Sequence, residues 1–136
     1  MRIPQKPPVI LPVKEGVVRT TWSVMIPVYN CSQYIRETLE SILEQDPGKE
    51  IMQIEVVDDC STDADVAQMV SQIGKGRIDY FCQKNNVGSL RNFETCLNRS
   101  RGKYIHLVHG DDKVKNGFYK EMEKLFDMFP EAGAAF

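Results

Sequence analysis

The sequence predicts an α/β fold: a mostly parallel sheet covered by helices on both faces. Two patterns carry that expectation. Short apolar, β-prone runs alternate with stretches of helical apolar spacing in the order β-α-β-α-β-α-β-α, which favours a doubly wound parallel sheet. Two of those runs also end abruptly in paired carboxylates, Asp58-Asp59 and Asp111-Asp112. Carboxylates at the C-terminal lip of parallel strands stand where open α/β sheets bind ligands.

The elements follow in order. Residues 1 to 21 hold Pro4, Pro7, Pro8 and Pro12 with scattered charges and read as an extended arm. That stretch lacks the apolar core of a signal peptide. The first strand is expected from Trp22 to Pro27, followed by a turn at Pro27-Val28-Tyr29-Asn30. Helix one, from about Ser32 to Gln45, buries Ile35, Leu39 and Ile42; Asn30 or Ser32 caps it and Asp46-Pro47-Gly48 stops it. Strand two is Ile54 to Val57, helix two about Asp63 to Ile73, and strand three Ile78 to Cys82. Helix three carries Leu90, Phe93 and Leu97 on one stripe. Strand four spans Tyr104 to Val108, and a last helix runs from Gly117 to about Phe129. That helix is expected to bury Phe118, Met122, Leu125 and Phe129, with Asn116 as its cap. Ala132 to Phe136 reads as the start of a fifth strand, so the chain is expected to be part of a longer enzyme.

With 136 residues, 42% apolar and 26% charged, this is the composition of one ordinary globular domain. A net charge of −2 supplies no general drive toward nucleic acid or an anionic membrane. No apolar run approaches the ~20 residues needed to span a bilayer, so the chain is expected in the cytosol or at the cytosolic face of a membrane. Cys31, Cys60, Cys82 and Cys96 form no C-x-x-C or zinc-finger spacing and read as buried free thiols of a reducing compartment.

Asp58 or Asp59 can accept a hydrogen bond from a ring N–H or a ribose hydroxyl, or can cap the following helix. Asp111 and Asp112 suit Mg²⁺ or Mn²⁺ shared with substrate phosphates, or else make a polar turn. Gly110 before them would let the backbone approach a ligand. His106 and His109, three apart on a strand, face opposite ways and do not share a metal. His106 reads as a packed strand residue, while His109, at the lip, could contact phosphate or order an aspartate. The loop Asn85 to Ser89, with Arg91 and Asn92 in the first turn of helix three, reads equally as an anion site or as a turn with caps. Tyr29 either stacks on a flat ring or fills a groove.

Taken in order, Val24-Met25-Ile26-Pro27-Val28-Tyr29-Asn30, Val56-Val57-Asp58-Asp59-Cys60-Ser61-Thr62-Asp63, Asn86-Val87-Gly88 with Arg91-Asn92, and Gly102-Lys103-Tyr104-Ile105 leading to Gly110-Asp111-Asp112 resemble the family 2 glycosyltransferases. The resemblance covers residues 22 to 136 and implies a GT-A nucleotide-diphosphosugar-binding domain, here its N-terminal half. It implies sugar transfer to an acceptor hydroxyl from a nucleotide-diphosphosugar, a UDP-sugar, with Mn²⁺ or Mg²⁺, in cell wall or polysaccharide biosynthesis. Pro27, Val28 and Tyr29 would line the base and ribose, Asp59 would read the base, and Arg91 would lie near the nucleotide. Asp111 would face the donor and Asp112 would be the more direct metal ligand. Gly110 departs from the acidic residue common there. The family's catalytic base is expected beyond residue 136, in the half that binds a carbohydrate or lipid-linked acceptor. Two other classes compete. One is a non-catalytic nucleotide-sugar-binding module, able to self-associate through exposed apolar surface. The other, a phosphoaccepting receiver domain, fails because strand one ends without a carboxylate.

Overall fold

The computed structural model describes residues 4–136; of the expected arm, residues 1–3 lie outside the described residues. The elements are β1 (Thr20–Val28), α1 (Ser32–Leu43), β2 (Met52–Asp58), α2 (Val66–Gly74), β3 (Asp79–Cys82), α3 (Ser89–Arg99), β4 (Gly102–Leu107) and α4 (Phe118–Met128). All four strands are parallel and lie in the order β3-β2-β1-β4, so β3 and β4 form the edges. The chain runs outward from β1 to β3 and then crosses over to place β4 on the other side of β1. That reversal makes the crevice beyond the C-terminal ends of β1 and β4 the natural ligand position.

The two faces of the sheet are built differently. Trp22, Val24, Ile26 and Val28 of β1 alternate onto one face with Met52, Ile54 and Val56 of β2, and pack on Ile35, Leu39 and Ile42 of α1, Val66 and Val70 of α2, and Tyr119 of α4. On the opposite face Met25 and Val57 meet Cys96 of α3. There a polar layer continues the packing. Ser23 Oγ donates to Gln53 Oε1 at 2.5 Å, Gln53 Nε2 donates to Glu55 Oε2 at 3.0 Å, and the Arg99 guanidinium pairs with Glu55 and covers the Phe81 ring at 4.1 Å. Glu55 is buried yet paired, which is the condition for a carboxylate inside a sheet face.

Helix three departs from the expected stripe. Asn92 and Cys96 are its buried residues, whereas Leu90 is half exposed and lines a groove with Phe93, Leu97 and Pro4 to Pro8. The arm therefore lies along α3 rather than adding a strand. Val9 N–H donates to Glu94 Oε1 at 2.7 Å, Leu11 N–H to Asn98 Oδ1 at 2.8 Å, and Asn98 Nδ2 to the Val9 carbonyl at 2.9 Å. Prolines lack the N–H that a sheet ladder requires, so side chains of α3 take the amides that remain.

The caps differ from the expected ones as well. Asn30 and Ser32 do not cap α1, whose N-cap is Cys31 without a side-chain bond. Asp65 caps α2 through Gln68 N–H at 2.9 Å. Gly117, not Asn116, precedes α4, which buries Tyr119 while Leu125 and Phe129 remain exposed. Of the four thiols only Cys96 is buried; Cys82 is exposed and Cys31 and Cys60 are half-buried. Among the described residues no helix is long and apolar enough to cross a membrane.

Candidate functional site

Three loops converge at the crevice: the turn after β1, the loop after β2, and the turn after β4. Their lacing is dense. Asn30 N–H donates to Ser61 Oγ at 3.0 Å, Thr62 N–H to Asn30 Oδ1 at 2.8 Å, and Ser32 N–H to Asp63 Oδ2 at 2.9 Å. That Ser32 amide is the main reason the Asp63 carboxyl sits below the usual range.

Asp58 and Asp59 are both buried. Asp58 Oδ1 accepts from Ser61 N–H at 2.9 Å and Ser61 Oγ at 2.7 Å, and Oδ2 accepts from the Tyr80 hydroxyl at 2.7 Å. Burial first, and then this bond to Asp58, push the Tyr80 phenol up. Asp59 faces the crevice. Its Oδ1 accepts Val87 N–H at 2.7 Å and its Oδ2 accepts Gly88 N–H at 2.8 Å, while its carbonyl takes Asn86 Nδ2 at 3.1 Å. Gly88 holds φ 86°, ψ 158°, a region open to glycine, and there it starts α3. Asp58 therefore builds the β2 loop, and Asp59 ties that loop to the start of α3. Neither caps α2.

These loops enclose a cleft of about 500 Å³. Pro27, Val28 and Tyr29 form one wall, Asp59, Asn86 and Gly88 the floor and far rim, and His109, Gly110 and Asp111 the near rim. Tyr29 presents half of its surface to solvent. His109 packs edge-on against Phe93 at 5.2 Å between centroids and points into the same space. Asp111 is exposed, and its carboxylate has no hydrogen-bond partner among the described residues.

Two expected site residues are elsewhere. Arg91 does not line this cleft; its guanidinium pairs with Glu94 and donates to the Lys6 carbonyl at 2.7 Å, facing the arm. Asp112 lies on the far flank of the turn, in a cleft with His106, Lys113 and Phe118. Of the pair, Asp111 is the one that lines the crevice.

Gly110 lines the cleft rim, but the space its missing Cβ leaves is taken by the protein itself. A Cβ on it would stand 2.6 Å from Cys31 Sγ and 3.0 Å from Val28 Cγ2, so the close approach is to the protein's own β1–α1 turn. Its carbonyl accepts Thr38 Oγ1 at 3.0 Å. His106 is the packed strand residue expected, stacked on Phe118 at 4.5 Å with Nδ1 3.3 Å from the Tyr119 hydroxyl. Burial pulls its pKa down to about 4. Sequence reasoning missed Tyr80 as the partner of Asp58, although their strands were both expected.

A sequence profile described as Glycosyl transferase family 2 matches residues 23–135. The chain belongs to glycosyl transferase family 2. Among its relatives is the minor teichoic acid biosynthesis protein GgaB of Bacillus subtilis, 33% identical over 109 residues, which cover 78% of this chain and 12% of GgaB. The poly(ribitol-phosphate) beta-N-acetylglucosaminyltransferase TarS of Staphylococcus aureus is 29% identical over 107 residues, covering 78% of this chain and 19% of TarS. The structure of TarS residues 1–349 in complex with UDP-GlcNAc superposes with a TM-score of 0.70 at 27% identity, over 80% of this chain and 32% of that one. The mannosyltransferase PcManGT from Pyrobaculum calidifontis, solved with GDP-Man and Mn²⁺, shares the fold at a TM-score of 0.69 and 21% identity, over 90% of this chain and 36% of that one. The family 2 chain described here spans less than half the length of the curated relatives it matches. Its parallel sheet with helices on both faces is the GT-A arrangement.

Proposed function

We propose that this chain is the nucleotide-diphosphosugar-binding part of a glycosyltransferase whose donor is a UDP-sugar. The observation that carries the reading is the cleft at the strand-order reversal, where a half-exposed aromatic ring, an amide-bound aspartate and an unpaired aspartate share one space. The Tyr29 ring stacks on the base. Each oxygen of Asp59 spends one acceptor site on a backbone amide. A carboxylate has about four such sites, so Asp59 can still take a ring N–H. Holding the acid by two amides also keeps it aimed at the cleft. The diphosphate lies toward Ser89 at the N-terminus of α3, where the helix field favours negative charge.

A divalent ion, Mn²⁺ or Mg²⁺, fits Asp111. Among the described residues no three His, Cys, Asp or Glu side chains gather to cage a metal by themselves. Magnesium-type sites commonly take only one or two carboxylates and complete their shell with phosphate oxygens and water. Such an ion supplies charge stabilisation for the departing diphosphate. Asp111 orients the donor from the near rim, and His109 beside it, fixed by Phe93, donates toward phosphate oxygens. In the whole protein the sugar passes to an acceptor hydroxyl of a carbohydrate or lipid-linked polymer at the cytosolic side of a membrane. The base that deprotonates this hydroxyl is assigned to none of the cleft residues.

Calorimetric titration with UDP, with and without Mn²⁺, tests the reading on wild type, Asp111→Asn and Asp112→Asn. Expected is Mn²⁺-dependent binding, weakened roughly tenfold or more in Asp111→Asn, as loss of a charge-assisted contact predicts, and unchanged in Asp112→Asn. Absence of binding by UDP, GDP and dTDP alike would overturn it.

A further inference from the structure

Cys60 and Cys82 lie on neighbouring strand ends beside the cleft, and neither has a role in the reading above. The ladder pairs Asp58 of β2 with Cys82 of β3, and two residues past Asp58 the chain turns through a left-handed Cys60 (φ 62°). This turn brings both thiols onto one carbonyl. Cys60 Sγ donates to the Gln83 oxygen at 2.8 Å, and Cys82 Sγ reaches the same oxygen at 3.4 Å. The shared oxygen holds the two sulfurs side by side. Cys82 is exposed and Cys60 half-buried, so solvent reaches the pair.

We propose that Cys60 and Cys82 form a reversible two-thiol oxidation site that a hydroperoxide closes to an intrachain disulfide, and that closure loosens the rim of the donor cleft. The exposed Cys82 sulfur attacks the peroxide, giving a sulfenic acid and releasing water or alcohol. Cys60 then attacks that sulfur, the S–S bond forms, and the sulfenic oxygen leaves as a second water. Two thiol hydrogens and two electrons pass to the peroxide in all. Cys60 takes the resolving part because it is the less exposed sulfur and peroxide meets Cys82 first; as it attacks, its proton passes to the departing sulfenic oxygen. Any thiol able to exchange restores the pair.

The link to the cleft runs through Gln83. Once the disulfide forms, neither sulfur carries a hydrogen, so the Gln83 carbonyl loses both S–H donors. Gln83 begins the loop that ends at Val87 and Gly88, and its side chain donates to Asn92 Oδ1 at 3.1 Å and Thr95 Oγ1 at 2.8 Å on α3. Pulling its backbone toward the new S–S bond, about 2.05 Å long, shifts the anchor of the two amides that Asp59 holds. Cys96, fully buried with its pKa pushed up to about 12 mainly by burial, is an internal control that stays unmodified.

The regulatory half of this proposal rests on the donor-cleft reading, so the test separates the two. The 136-residue protein is treated with hydrogen peroxide, then analysed by non-reducing peptide mapping and by hydrogen exchange of Val87 and Gly88. Expected is a peptide pair cross-linked through Cys60 and Cys82, reversed by dithiothreitol, absent in Cys82→Ser and in Cys60→Ser. The two amides should exchange several-fold faster in the oxidised wild type only. Sulfinic acid at Cys82 without a cross-link would overturn the site, and a cross-link with unchanged exchange would overturn the coupling. Both readouts need no nucleotide, so failure of UDP to bind the reduced protein would count against the donor reading alone.

Discussion

The two carboxylate pairs look alike in sequence and end up opposite in physics. Asp58 and Asp59 are buried, and their four oxygens take five hydrogen bonds from Ser61, Tyr80, Val87 and Gly88. Asp111 and Asp112 are exposed, accept no side-chain hydrogen bond among the described residues, and face opposite flanks of their turn. The surrounding donors therefore decide how many acceptor sites of a strand-lip carboxylate are tied into the scaffold and how many stay open. Unpaired N–H groups at the start of α3 are costly to leave unmatched, and Asp59 is the nearest acceptor. No such donor reaches Asp111 in the β4 turn, and its carboxylate stays unpaired among the described residues.

Replacing Asp59 with Ala attacks the scaffold side hardest. It removes two charge-assisted bonds and strands two amides, so urea denaturation should record a loss of about 4 kcal/mol. A variant as stable as wild type would erase the distinction between the pairs. The next effect concerns the flank that Asp112 occupies. His106 there has a pKa of about 4 when folded, against about 6.5 unfolded. The unfolded chain thus binds the extra proton first, so stability is full above about pH 6.5 and falls as pH drops toward 4. The loss is on the order of 3 kcal/mol, and His106→Phe should flatten that part of a pH series of melting curves. Gly110→Ala should cost about 2 kcal/mol by overpacking, and Cys31→Ala in the same chain should return most of it, since Cys31 Sγ is the nearest obstacle. Smallest of all, Asp111→Asn should shift stability by under about 0.5 kcal/mol while abolishing the Mn²⁺ enhancement of UDP binding. A large unfolding effect there would mean that Asp111 is scaffold too.

Periodicity gave β1 to β4 and α1 to α4 in the right order, because apolar alternation in β1 and β2 and the Ile35-Leu39-Ile42 stripe answer directly to burial. The fifth strand expected from Ala132 is not formed, and 132–136 has no regular structure. Periodicity failed where a polar residue replaced an apolar one in the interior. On α3 the buried position belongs to Asn92, whose Nδ2 donates to the Val57 carbonyl at 2.8 Å, and the apolar stripe turns to the arm instead. Helix caps were misread for a related reason: Asn30, a good capping type, is spent joining loops that are far apart in sequence. The site was read to the level of its loops. Which of two adjacent aspartates faces the crevice depends on turn geometry, and Arg91 depends on an arm whose docking leaves no periodic trace.

β4 is six residues long and stands at the rim of the sheet with Ile105 open to solvent. A strand so placed is a template for other chains, and a partly unfolded molecule that docks there would seed aggregates. Lys103, exposed one pleat away on the same side, acts as a gatekeeper because an incoming strand must bury its charge. Preparations carrying Lys103→Val should precipitate at lower protein concentration than wild type, while the cleft at the other end of the strands remains intact.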